Sequence, residues 1–162
     1  MEHTILWPTE LSLSSRKVMP QLISLAEKYG STIVALYVAP DLCSLFPAYG
    51  NYPSGEFIEK FQDWELEKAK TNLQEICSQE LATCRNVNVR IVRGNAAQEI
   101  LQAAGKEGVD MIVMSSRGQS FDSVGRIGSG LGSVAQKVVE ESPVPVVLVN
   151  PDENVSAPQQ GA

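Results

Sequence analysis

Short apolar runs alternate along the chain with longer amphipathic stretches, and the two periods sort into strands and helices. Thr4-Ile5-Leu6-Trp7 opens as a strand, and Pro8 is expected to end it, because a fixed φ and a missing N–H stop strand pairing. Pro8-Thr9-Glu10 then forms the first strand-to-helix corner. Ser12 suits the N-cap of a helix running to Tyr29, with Val18, Leu22, Leu25, Ala26 and Tyr29 on one apolar face and Gly30 closing it. Pro20 falls inside that helix and predicts a kink or a missing hydrogen bond to the Arg16 carbonyl. Thr32 to Val38 is almost wholly apolar and β-branched, as a strand buried on both faces would be.

From Pro40 to Gly55, prolines and glycines mix with Phe46, Tyr49 and Tyr52, which fits either a lid-like loop or a variable one. Glu56 to Ala82 reads as a long charged helix, and Phe57, Phe61, Trp64, Ala69, Leu73 and Ile76 approximate a stripe expected to pack in the core. Asn86 to Val92 alternates polar and apolar, the mark of a half-buried strand near a sheet edge, and Gly94 ends it. Asn95 to Gln98 caps a helix whose Ala97, Ile100, Leu101 and Ala104 face inward until Gly105 or Gly108.

Met111 to Met114 is an unbroken apolar run followed by Ser115-Ser116-Arg117-Gly118 and a glycine-rich segment reaching Gly132-Ser133. It reads as a central strand. Ser133 with Gln136 three residues on forms a capping-box pattern, so a helix should run from Ser133 to Ser142. Pro143 to Val149 is a last apolar strand, and its two leading prolines fit a sheet edge. Residues 151–162 are short, polar and rich in Pro and Gln, which predicts a disordered tail and leaves residues 1–150 as a single domain. Five strands alternating with helices predict an α/β fold with a parallel, doubly wound sheet and right-handed crossovers. Ligands sit at the carboxyl ends of such strands, here Pro8-Thr9-Glu10, Val38-Ala39 and Ser115 to Gly118.

The 162-residue length suffices to bury roughly two-thirds of the unfolded surface without staples. A net charge of -6, with Lys and Arg dispersed, argues against nucleic-acid binding. Cys43, Cys77 and Cys84 form an odd set without a C-x-x-C pair, which points away from a metal centre and toward a reducing, cytoplasmic setting. No apolar run approaches a membrane span and no basic leader precedes one, so a soluble, untargeted protein is expected.

Enzymatic machinery does not stand out. His3 is the only histidine and precedes the first strand, and Ser129 lacks the G-x-S-x-G context of a nucleophile elbow. Neither G-x-x-x-x-G-K-[ST] nor a G-x-G-x-x-G after the first strand is present. The glycine run leading to a helix start offers backbone N–H groups and a partial positive charge that suit phosphate, although such glycines also make plain surface loops.

Assembled, the chain resembles the universal stress protein family from Ile5 to Val149. The likeness lies in Ile5 to Glu10, Val34 to Val38, Gly94 to Ile100, Asp110 to Gly118, Gly132-Ser133-Val134 and Ser142 to Val146. Nucleotide-binding members carry Gly, two residues, Gly, nine residues, then Gly with Ser or Thr. Here Ser115 takes the first position and Gly118 the second, and Gly132-Ser133 follows after thirteen intervening residues, a loop four residues longer than the pattern, while Gly128-Ser129 keeps the nine-residue spacing.

The resemblance implies a Rossmann-like sheet of the adenine nucleotide alpha hydrolase type in strand order 3-2-1-4-5. It implies that Pro8, Thr9, Glu10 and Val38 line an adenine and ribose pocket, and that Ser115, Arg117, Gly118, Gly132, Ser133 and Val134 hold ribose and phosphates. ATP, ADP or AMP is the implied ligand, with Mg²⁺ only on bound phosphates, and the implied role is a stress-response sensor or signalling homodimer paired through Val144 to Val149. Glu10 as a base for slow ATP hydrolysis is the most catalysis that is implied. The alternative is a nucleotide-free member acting through protein partners.

Overall fold

Ile5, Leu6 and Trp7 are fully buried, with Ile5 and Trp7 in one apolar cluster and Leu6 in another, as a strand covered on both faces requires. They belong to β1 (Thr4–Thr9), the centre of the sheet in a computed structural model that describes residues 2–45, 55–117 and 131–151. With β2 (Thr32–Ala39), β3 (Asn86–Arg93), β4 (Met111–Ser115) and β5 (Val146–Val149) it forms one parallel sheet in the order β3-β2-β1-β4-β5. The described helices are α1 (Leu13–Arg16), α2 (Met19–Tyr29), α3 (Leu42–Leu45), α4 (Gly55–Glu80), α5 (Ala96–Lys106) and α6 (Ser133–Glu141). α2 and α4 cover one face through Leu22, Ala26, Leu73 and Cys77, and α5 and α6 cover the other through Ala97, Ile100, Ala104 and Val138. The expected doubly wound α/β architecture is therefore the fold of this chain.

Pro8 does not end β1. Thr32 N–H donates to the His3 carbonyl and Asp110 N–H to the Thr4 carbonyl, so successive residues of β1 address β2 and β4 in turn. Counting on by twos, Thr9 pairs toward β2 while Pro8 faces β4. The β1–β2 register accordingly continues through Pro8↔Leu36 to Thr9↔Tyr37, whereas the β1–β4 register stops at Leu6↔Ile112. A missing donor halts only the ladder it points into.

The helix expected from Ser12 to Tyr29 is two helices. Ser12 does cap the first, its Oγ accepting from Ser15 N–H at 3.1 Å. Pro20 cannot bond back to the Arg16 carbonyl, so the chain restarts with Pro20 in the first turn of α2, where an N–H would lack a partner anyway. Gly30 then closes α2 in the left-handed conformation at φ 61°. Asn95 caps α5 as expected by accepting from Gln98 N–H at 3.1 Å. β3 lies at one edge of the sheet, as its alternation indicated. The prolines at 143 and 145 precede β5 rather than belonging to it, and Pro145 contributes its carbonyl, which accepts from Ile112 N–H.

The aromatic stripe of α4 is the main correction to the expected core. Phe57, Phe61 and Trp64 are 60%, 46% and 56% exposed, while Ile58, Gln62, Ala69, Leu73 and Cys77 form the buried seam. Cys77 and Cys84 are free thiols. Gly118 with the glycine run through residue 130, the 46–54 part of the Pro40 to Gly55 loop, and the tail from residue 152 lie outside the described residues. Among the described residues no helix is long and apolar enough to cross a membrane.

Candidate functional site

Beyond Leu6 and Ile112 β1 and β4 are no longer paired with each other, and a cavity of about 360 Å³ lies at the carboxyl end of the sheet. Such a volume falls in the range of small-molecule pockets, roughly 300–1,000 Å³. Pro8, Thr9 and Glu10 line it from the β1 corner, Val38 from β2, and Ser115 and Arg117 from the end of β4. Gly132, Ser133 and Val134 line it from the start of α6. The residues singled out from the sequence thus converge on one hollow, apart from Gly118, which lies outside the described residues.

The β1 corner is held by its own side chains. Ser15 Oγ donates to the Ser12 carbonyl at 2.9 Å, so the 2.9 Å contact between the Thr9 and Ser15 hydroxyls has Thr9 as donor. Thr9 Oγ1 in turn accepts from Leu11 N–H at 3.0 Å. Leu11 sits at φ 61°, a left-handed conformation that a bulky residue adopts only where its surroundings over-determine it. Strain of this kind gathers at ligand sites, and here it fixes the turn that presents Glu10 at the cavity rim.

The end of β4 secures the opposite wall. Ser115 Oγ donates to the Arg117 carbonyl at 2.6 Å and accepts from Arg117 N–H at 3.3 Å. Ser116 N–H donates to the Val149 carbonyl at 3.0 Å, and the Ser116 carbonyl accepts from Gly132 N–H at 2.8 Å. Gly132 lines the cavity, yet its amide is committed to the strand. It is also the N-cap of α6, without a side-chain cap bond, which displaces the capping box expected at Ser133. Gln136 turns away instead, its Nε2 donating to Glu140 Oε1 at 3.2 Å.

Ser133, Val134 and Ala135 are therefore the first-turn residues, whose amides have no intrahelical acceptor. No acidic side chain lies in that turn to neutralise the positive end of the helix dipole. Leu36, Val38, Ile100 and Met114 give the cavity an apolar wall suited to a flat ring. Leu36, Ile100 and Met114 escaped the sequence reading because a core-facing residue and a pocket-lining one share the same period. Ala96, Ala135 and Ser15 also line it, and their small size at helix starts was the available signal.

His3 stands at the other end of β1. Its Nδ1 is 2.7 Å from Ser31 Oγ and its ring stacks on Tyr29 at 4.9 Å. Among the described residues no three His, Cys, Asp or Glu side chains are grouped to hold a metal ion.

A doubly wound parallel sheet, with a pocket at its strand ends that is apolar on one side and faced by helix amides on the other, makes this an α/β domain with a candidate small-ligand site. The profile of the universal stress protein family matches residues 1–150, and the chain belongs to that family. A Thermus aquaticus relative, the universal stress protein of the QAH/OAS sulfhydrylase 3′ region, is 38% identical over 100 residues, 61% of this chain and 68% of that protein. The solved structure of protein MJ0577 from Methanocaldococcus jannaschii is similar with a TM-score of 0.77 and 26% identity, over 95% of this chain and 99% of that one. A universal stress protein family member from Arabidopsis thaliana, solved with AMP bound, shares the fold at a TM-score of 0.56 and 16% identity, over 91% of each chain.

Proposed function

We propose that this universal stress protein binds an adenine nucleotide in the cavity at the carboxyl ends of β1, β2 and β4 and serves as a stress-response sensor or signal. The observation that carries the reading is the unneutralised start of α6 opening onto a hollow whose far wall is apolar. Phosphate on the amides of Ser133 and Val134, with the base against Val38 and Ile100, meets both halves of that surface. The AMP bound by the Arabidopsis relative supports it. Glu10, which lines the rim, would accept from ribose hydroxyls in this reading. Mg²⁺ would be held chiefly by the phosphates of a bound ATP or ADP, and hydrolysis, with Glu10 as base, would be slow.

Thermal unfolding with AMP, ADP and ATP, with and without Mg²⁺, tests the reading. Ligand at about a hundred times its dissociation constant adds about 2.7 kcal/mol, a rise on the order of 5–10 °C for a chain of this size. No rise with any of the three nucleotides would instead favour action through protein partners.

The working unit in this proposal is a homodimer joined along β5. Pro145 and Val149 turn their carbonyls to β4, so the main-chain groups of Val146 and Leu148 face the open edge. An apolar edge of this kind is a pairing surface. Leu148→Pro removes one outward donor and spares the β4 ladder, and is expected to convert dimers to monomers in light scattering. An intact dimer would place the interface elsewhere.

A further inference from the structure

The inner seam of α4 packs over β2 and β3, at the opposite side of the sheet from β5. On its outer side Phe61 and Trp64 are 46% and 56% exposed, with ring centroids 6.0 Å apart. Lys68 Nζ lies 5.0 Å from the Trp64 ring centroid and continues the stripe. Adjacent exposed aromatics are the residue type that anchors protein interfaces.

The charges beside the stripe select what can lie on it. α4 carries more carboxylates than amines, and the chain has a net charge of -6, so an anionic lipid surface or an acidic partner is repelled. Lys60 and Glu67 are both exposed and stand about two helical turns apart on one flank of the stripe, on either side of its centre. Lys60 already pairs with Glu56 at 3.7 Å, but those side chains are 77% and 81% exposed, and a surface pair of that kind holds Lys60 only weakly.

Two such helices lying parallel would set Lys60 beside Lys60 and Glu67 beside Glu67. A two-fold axis crossing α4 between Phe61 and Trp64 runs them antiparallel and does the reverse. Phe61 of each copy then meets Trp64 of the other, and Lys60 of each meets Glu67 of the other. Along the helix Lys60 lies about 4 Å and Glu67 about 7 Å from that axis, so the facing charges differ in level by only about 3 Å. The face is complementary to itself.

We propose that the outer face of α4 is a contact surface for a second copy of this chain, paired antiparallel about a two-fold axis between Phe61 and Trp64. Its extent sets its strength. Two half-exposed aromatics and their flanking side chains cover well under the roughly 800 Å² per partner of a stable complex, and the like net charge of the copies opposes their approach. The contact is therefore weak, with a dissociation constant on the order of 100 µM. It is separate from the β5 edge, so pairs joined at β5 would be linked to further pairs through α4.

Sedimentation equilibrium of the Leu148→Pro protein, whose β5 edge is blocked, reads this contact alone. At concentrations several times that constant the protein is expected to form dimers, and adding Trp64→Ala should weaken them roughly tenfold or more, the effect of losing a central aromatic anchor. Lys60→Glu and Glu67→Lys should each weaken self-association about fivefold, because each sets like charges together at both ends of the contact. An equimolar mixture of those two variants should associate at least as well as the parent, since opposite charges then meet at both ends. Thermal melting at micromolar concentration, where the copies are apart, checks that each variant is folded. No association of the parent, association untouched by Trp64→Ala, or a mixture no better than either charge variant alone overturns the contact. None of these results touches the β5 reading, which is scored on the dilute unaltered protein.

Discussion

Ser133→Pro is expected to weaken adenine nucleotide binding by roughly 10–100-fold while leaving the unliganded protein as stable as before. Position 133 is the first residue of α6, where proline is favoured because its absent N–H would have no helical partner. The residue before a proline must be extended, and Gly132 already is, at φ -58° and ψ 152°. The substitution therefore deletes one amide and one hydroxyl from the cavity wall without disturbing the helix. Each remaining amide matters more because that of Gly132 is committed to the Ser116 carbonyl. Ser133→Ala removes the hydroxyl alone and should lose only a few-fold, which separates the two donors. Calorimetry gives the affinity and thermal melting of the free protein gives the control. Binding of the proline variant within twofold of the original would move the phosphate off α6.

Leu73→Ala should cost about 3 kcal/mol, within the usual range for a buried leucine, and lower the melting temperature by roughly 6–12 °C at this chain length. Trp64→Ala, two and a half turns earlier on the same helix, should change stability by no more than about 0.5 kcal/mol. The contrast follows from exposure. Leu73 is fully buried against the sheet, whereas Trp64 is 56% exposed, with Lys68 Nζ 5.0 Å from its ring centroid. Hydrophobicity alone would reverse the ranking, since the indole is the larger apolar group. A Trp64→Ala penalty matching that of Leu73→Ala would mean that the aromatic face is covered in solution.

α4 shows where sequence reading fails. Its aromatic stripe and its packed seam are offset by a single residue, Phe57 against Ile58 and Phe61 against Gln62. The aromatic half of the expected stripe faces water, while Ala69 and Leu73 pack in the core as expected. The true seam contains a glutamine because its amide has two main-chain partners at the Pro40 to Leu42 corner, and no local pattern announces a partner twenty residues away. The strands were legible for the opposite reason: Ile5 to Trp7, Thr32 to Val38 and Met111 to Met114 are covered on both faces, which forces unbroken apolar runs. The cavity was legible through the rule that places ligands at strand ends. The division of labour within it was not, because Gly132 and Ser133 exchange roles according to a hydrogen bond from outside the helix.

Pro8 closes β1 to one neighbour and not the other. Past Leu6, an imide ring with no hydrogen to give keeps β1 and β4 from zipping together, so the gap between them is a property of the main chain. Exchanging the side chains around the gap would alter what fits there without sealing it. Ligand preference and scaffold are in that sense uncoupled: one can drift while the other stands.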